Sequence, residues 1–307
     1  MNPNHRQLRL VRRLALLCAV LVLVVVSLSA YMRQTKAGLG CTDWPNCYGQ
    51  SLRQLQHGVA ASVDEQFSTA TARLVHRIAA VVVLLLVLVM VYVCFGVQPV
   101  LRAEGAMALA LLGLALFLAV LGRWSSGTRV PVVAMGNLLG GFAMLALSAR
   151  LTLSGRPPNL ARGRCWVILA ATPMIIQVAL GGLVSASFSG LSCTAGWADC
   201  LQAAGSADWA SLNPWREPVL AAATQVHSSG ALMQVLHRCL AFALLLPVLA
   251  LMALGRCRPK IVLVLLAAMV LQMAIGLAMS QGSLTITLAL LHNALAVGLL
   301  VALVLMF

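Results

Sequence analysis

Two short segments set an imidazole beside a guanidinium inside a long apolar run: His76-Arg77 in RLVHRIAA and His237-Arg238 in QVLHRCLA. Ionisable side chains are costly in hydrocarbon, so their presence there points to a pathway, a paired site or a cofactor. Asn137 and His292 sit in two later apolar runs, also a few residues in. Imidazole nitrogens from two facing helices are a standard axial pair for haem iron. An arginine beside one of them suits bidentate pairing with a propionate carboxylate. The chemistry on offer is haem binding, with His76, His237 and His292 as candidate iron ligands. Arg77, Arg238 and Asn137 are the candidate contacts around them.

Such residues need elements to carry them, and composition says what kind. The chain of 307 residues is 61% hydrophobic and only 9% charged, against roughly 25% charged in soluble domains. It reads as an all-α, polytopic membrane protein. Crossing about 30 Å of hydrocarbon takes roughly 20 apolar residues, and eight stretches qualify, near 14–32, 72–96, 104–122, 130–150, 164–186, 228–254, 260–279 and 284–307. The first follows Arg6, Arg9, Arg12 and Arg13, but it has no small-residue cleavage site before Tyr31 and is long enough to span, so it reads as a helix and not a signal peptide.

The net charge of +14 is explained by topology. With the N-terminus in the cytoplasm, the cytoplasmic segments hold twelve of the 21 basic residues and a single acid, Glu104, while the other six acids fall in the opposite loops. Positive-inside bias thus predicts both termini in the cytoplasm, and nucleic-acid binding is not required to account for the basic excess.

The chain repeats itself. Each His-Arg pair follows a loop with two cysteines, Cys41 and Cys47 in the first half and Cys193 and Cys200 in the second, and Gly-Leu-x-Cys ends the approach to both loops. The offset is 152 residues at the cysteines, 161 at the histidines and 155 between Asn137 and His292. Two pseudo-symmetric four-helix bundles are predicted, 14–150 and 164–307, joined by a cytoplasmic linker at 151–163. An even number of helices per repeat keeps the halves in the same orientation, related by an axis along the membrane normal. The loop cysteines would then face an oxidising compartment, where a disulfide within each loop is permitted; zinc binding, a redox-active pair and free thiols are the alternatives. His76, Asn137, His237 and His292 lie five to nine positions inside their spans, a shared depth of roughly 8–14 Å, and bundles build cofactor sites from inward side chains.

Blander roles are assigned elsewhere. His5 and His57 are solvated, and His227 is a surface residue. Gln177 and Gln272 hold helices together, with glycines beside them that allow close approach. Pro173 and Pro247 kink their helices. Set against the haem reading is the interhelical hydrogen bond, the ordinary role of a membrane histidine, which the repeated His-Arg at matched depth argues against.

The stretch Gly38-Leu-Gly-Cys-Thr-Asp-Trp-Pro-Asn-Cys-Tyr-Gly49, the doubled His-Arg, Gln177-Val-Ala-Leu-Gly-Gly-Leu-Val184 and Leu291-His-Asn293 together resemble the heme A synthase family over essentially the whole chain. That resemblance implies an eight-helix bundle whose C-terminal half holds haem b between His237 and His292. It implies that the N-terminal half receives haem O and oxidises its C8 methyl to a formyl group, giving haem A for terminal oxidase assembly, with His76 and Arg77 at the reacting site. It further implies disulfides in both loops, residence in the inner (cytoplasmic) membrane, and partners among haem O synthase and oxidase assembly factors. Two positions depart from the family pattern: Arg73 stands where glutamate precedes the first histidine by three residues, and Asn137 stands where the family has a histidine. A haem-binding paralogue acting as an electron carrier or haem chaperone is the alternative those departures raise. A transporter built from parallel repeats is a third.

Overall fold

Apolar runs of this length satisfy their backbone polar groups internally when lipid offers no partner, and the helix is the solution open to a single segment. The computed structural model describes residues 3–36, 63–124, 130–155, 164–218, 228–253, 259–282 and 284–305. The long helices are α1 (Pro3–Lys36), α2 (Val63–Phe95), α3 (Arg102–Trp124), α4 (Pro131–Leu151) and α5 (Arg164–Ala186). After a loop helix, α6 (Trp197–Gly205), and a 3-10 turn at Trp209–Leu212 come α7 (Ser228–Ala243), α8 (Leu245–Ala253), α9 (Pro259–Ser280) and α10 (Ile286–Leu305). Among the described residues seven spans are long and apolar enough to cross a membrane, α7 and α8 forming one of them, and α5 supplies a shorter apolar stretch at Ala171–Ala186. The protein is an eight-span, multi-pass membrane protein.

The sixth span is broken where the sequence predicts a kink. Pro247 has no amide proton for the carbonyl of Ala243, and its ring crowds that oxygen. The helix accordingly stops at Ala243 and restarts at Leu245, with the amide of Leu244 still bonded to Leu240 O at 2.9 Å. Around Pro173, by contrast, α5 runs on as one helix.

Contacts close each half into a ring in chain order. In the first, α1 packs on α2, α2 on α3, α3 on α4, and α4 back on α1. In the second, α5 packs on α7, α8 on α9, α9 on α10, and α10 back on α5. Across the halves, α4 meets α5, α1 meets α10, and α4 meets α10. The first two of these contacts each join the first helix of one half to the last helix of the other, and the third joins the two last helices. One apolar core runs through both rings, from Val11 and Val87 to Phe142, Met174 and Leu300.

Small residues set the close approaches. A Cβ on Gly136 or Gly140 of α4 would come within 2.7 and 2.6 Å of Leu121 and Leu118 on α3, and one on Gly141 within 2.9 Å of Val26 on α1. Helix association in lipid relies on such packing because no hydrophobic force drives it.

At the end of the bundle where α1 begins and α10 finishes, Gln7 donates to the carbonyls of Val93 and Val97, and Arg12 donates to Ser154 O. At the opposite, loop end, Val132 N donates to Pro214 O, tying the second half's loop to the start of α4.

Candidate functional site

The loop end of the second ring is built first by covalent and polar ties. Cys193 and Cys200 form a disulfide with Cα atoms 5.1 Å apart, as the sequence reading expects. Both cysteines are buried against Ala231 of α7, so the bridge clamps α6 onto that helix. Gln234, one turn before His237, donates to Ser189 O and Gly190 O, fixing the turn after α5 to α7. Cys41 and Cys47 lie outside the described residues, as do His57 and His227. Peptide mapping without reduction is expected to recover each cysteine pair linked within its own loop. Cys200→Ser should lower the stability of the purified protein by about 2–3 kcal/mol, the effect of opening so short a loop, read as a lower midpoint in thermal unfolding.

Inside that end, the structure brings His237 of α7 and His292 of α10 together, with ring centroids 6.5 Å apart and planes inclined by 59°. Each imidazole is seated on a glycine of a neighbouring helix. A Cβ on Gly181 of α5 would lie 3.0 Å from His237 Cε1, and one on Gly276 of α9 would lie 3.0 Å from His292 Cε1. One turn from each glycine is a glutamine. Gln177 Nε2 donates to His237 O at 2.9 Å and stands 3.5 Å from His237 Nε2, so it joins helices, as expected, but does so at the histidine itself.

Buried polar atoms in proteins are normally paired, and each that is not costs about 1–3 kcal/mol. Here five buried atoms around the same pair have no hydrogen-bond partner among the described residues: His237 Nδ1, His292 Nδ1, Gln177 Oε1, Gln272 Oε1 and Arg238 Nη2. Arg238 points to the loop end, its guanidinium carbon 5.6 Å from the centroid of Trp197 on the disulfide-clamped helix. That distance is within cation-π reach. Two turns from the glycines in the other direction, Met174 and Met269 line an apolar cavity with Leu244, Leu299 and Leu303.

The arrangement fits a haem. Two imidazoles on either side of one metal, each nitrogen about 2 Å from it, put their ring centroids roughly 6 Å apart. The pair stands close to that separation, with the Nη2 of Arg238 unpaired among the described residues on the loop side and an apolar cavity on the other. A porphyrin has the same polarity, carboxylates at one edge and hydrocarbon at the other. Among the described residues no cluster of three or more His, Cys, Asp or Glu exists to hold a free metal ion, whereas a haem asks the protein for two ligands only.

The first ring is less complete. Ala72, His76, Ala79, Val83, Val87 and Met90 mark the inward stripe of α2, with His76 half-buried on it. Asn137 is half-buried on α4. Arg73 and Arg77 are exposed, on the flank of α2 and not on the stripe. No motif in the sequence marks Gly181 and Gly276 as imidazole seats, or Trp197 as the partner of Arg238. The nearest signal for the first was the repeated glutamine one turn before a glycine; for Trp197 it was the tryptophan present in both cysteine loops.

Residues 12–304 match the COX15-CtaA family, described as cytochrome oxidase assembly protein. A curated relative, the Heme A synthase of Shewanella oneidensis, is 32% identical over 191 residues, and the alignment spans 57% of this chain and 57% of that relative. The chain thus spans little more than half the length of the curated relative it matches.

Proposed function

Because the chain belongs to the COX15-CtaA family of cytochrome oxidase assembly proteins, we propose that it is a heme A synthase, oxidising the C8 methyl group of haem O to a formyl group. The observation that carries the reading is the His237–His292 pair, 6.5 Å apart, seated on paired glycines and surrounded by unsatisfied buried polar atoms. In this reading residues 164–307 hold haem b and residues 14–150 take haem O, with 151–163 as the linker. The relative's name supports the same activity.

Methyl-to-formyl conversion replaces two hydrogens with one oxygen drawn from water or dioxygen, a net loss of four electrons to an external acceptor, and a haem b held in the second ring would supply a one-electron centre for such transfer. The rest is the work of this chain. His237 and His292 set the ligand axis across the second ring. Gln177 and the two glycines hold the imidazoles to one orientation, as outer-shell contacts do at metal sites. Arg238, steadied by Trp197, receives a propionate carboxylate at the loop end, and the apolar cavity keeps water from the opposite edge. In the first ring His76 is the single imidazole on the inward stripe. Asn137 stands in place of a second imidazole and would offer a bound haem a hydrogen bond but no strong iron ligand. Arg77 follows His76 in the chain but lies on the exposed flank of α2.

The charge pattern of the loops supports the inner membrane with both termini in the cytoplasm, so that the disulfide end faces the oxidising side. The enzyme that makes haem O and the assembly factors of the terminal oxidase are the partners this activity calls for.

Cells that express the chain together with a haem O source are expected to accumulate haem A, measured by chromatography and mass of extracted haem. Haem O bound to the purified protein with no haem A formed, under oxygen and a competent electron partner, would sink the reading in favour of a carrier or chaperone, the role favoured by Arg73 and Asn137. A finer test addresses the second ring: Gly276→Val places branched carbon where His292 already sits, and the b-type haem content should fall at least tenfold while the protein still inserts.

A further inference from the structure

Arg33 is a half-buried cation whose Nε is fully buried, with no counter-charge among the described residues, and neither the sequence motifs nor the proposed activity uses it. It sits near the loop end of α1, on the stripe that faces the interior: Val22, Val26 and Ala30 are buried at helical spacing, and Arg33 follows one turn on. Its Nε is buried without a hydrogen-bond partner among the described residues. The ion pair found among them, Arg216 with Asp208, is on the far loop.

Register locates the side chain. Gln7 of α1 bonds to Val93 of α2 and to Val97 just beyond its end, and Val26 of α1 meets Gly141 of α4. Counting along the helices at 1.5 Å per residue, Arg33 lies roughly 5 Å beyond Asn137 and about 10 Å beyond His76 towards the loop end. The internal repeat gives a similar answer. The counterpart of Gly181, on which His237 rests, is Ser29 in the first half, and Arg33 is one turn beyond it. In the second ring the loop-end cation comes from Arg238, but its first-ring counterpart, Arg77, is exposed on the flank. Among the described residues at the loop end of the first ring, the cation turned to the interior is therefore Arg33.

We propose that Arg33 is the carboxylate-binding residue of the first ring, pairing with a propionate of haem O. The proposal rests on the reading of that ring as the haem O site. An arginine away from water is stabilised by an anion, and its planar fork matches a carboxylate. A lipid phosphate is the other anion a membrane offers, but Arg33 is on the inward stripe of α1 and not on its lipid face. The consequence is positional. The C8 methyl is on the pyrrole that carries one of the propionates, so holding that carboxylate on the inside of α1 fixes where the reacting carbon stands relative to His76.

The test uses the purified full chain with haem b in the second ring, titrated with haem O and with haem O dimethyl ester, which lacks the carboxylate charges. Binding is followed by difference spectra and by haem-to-protein ratio. Wild type should bind the free acid about 10- to 100-fold more tightly than the ester, the range expected for one charge-assisted pair. Arg33→Gln should remove that preference, Arg33→Lys should restore part of it, and the second-ring spectrum should stay unchanged in both, which reports that they are folded. If Arg33→Gln keeps the full preference, the assignment is overturned while the haem O site stands; pairing with a lipid phosphate would give this result. Wild type that binds acid and ester equally overturns it without any variant. Wild type that takes up no second haem overturns both the assignment and the reading it rests on.

Discussion

Replacing either His237 or His292 with leucine abolishes the low-spin, six-coordinate b-type spectrum of the purified protein. The two imidazoles stand 6.5 Å apart across the second ring, each pressed against its own glycine, and no third histidine is among the described residues of that ring. A single substitution therefore leaves one ligand at most. Leucine is close to histidine in volume and satisfies the packing against Gly181 or Gly276, so loss of the spectrum reports ligation and not collapse of the bundle. Haem content should fall to a few per cent of wild type, or a five-coordinate, high-spin remnant should replace the low-spin bands. An unchanged low-spin spectrum in both variants would remove the ligand assignment. Arg238→Leu is expected to be milder. It removes a carboxylate partner at the loop end but neither axial ligand, so the bands should persist with weaker haem retention.

His76→Ala stops haem A formation while the second-ring spectrum stays intact. His76 lies on the inward stripe of α2, and the described residues of the first ring offer no other imidazole at its depth, because α4 presents Asn137. An amide is a poor iron ligand, so nothing substitutes for the lost nitrogen. The rings close separately, α1 to α4 and α5 to α10, which is why damage to one site should spare the other. Haem A should drop below about 1% of wild type, in line with losing a group that touches the reacting centre. Production of haem A at wild-type level by His76→Ala would disqualify the residue. Should wild type itself be inactive, the double substitution Arg73→Glu with Asn137→His tests whether the two family departures are the cause, since it restores a carboxylate for proton handling and a second imidazole.

The spans and their number were legible in the amino-acid sequence because lipid imposes its demand on every residue in turn. A segment with no water to bond must be helical and apolar throughout, so eight runs announce themselves without knowledge of their neighbours. The depth of His76, Asn137, His237 and His292 followed from counting along those helices. The break at Pro247 was equally local, since the missing amide proton and the ring clash are properties of one residue. What faces what was not local. That His237 meets His292, that Gly181 and Gly276 are the seats of their rings, and that Trp197 lies under Arg238 depend on the order and rotation of helices in the ring. Those are decided by side-chain packing between segments far apart in sequence. The same holds for the two arginines of the first ring. Arg77 looked like the carboxylate partner because it follows the histidine, and Arg33 carried no motif at all. Helix rotation put Arg77 on the exposed flank of α2 and turned the Nε of Arg33 into the interior, because a hundred degrees per residue sends neighbours in the chain to different faces of a helix.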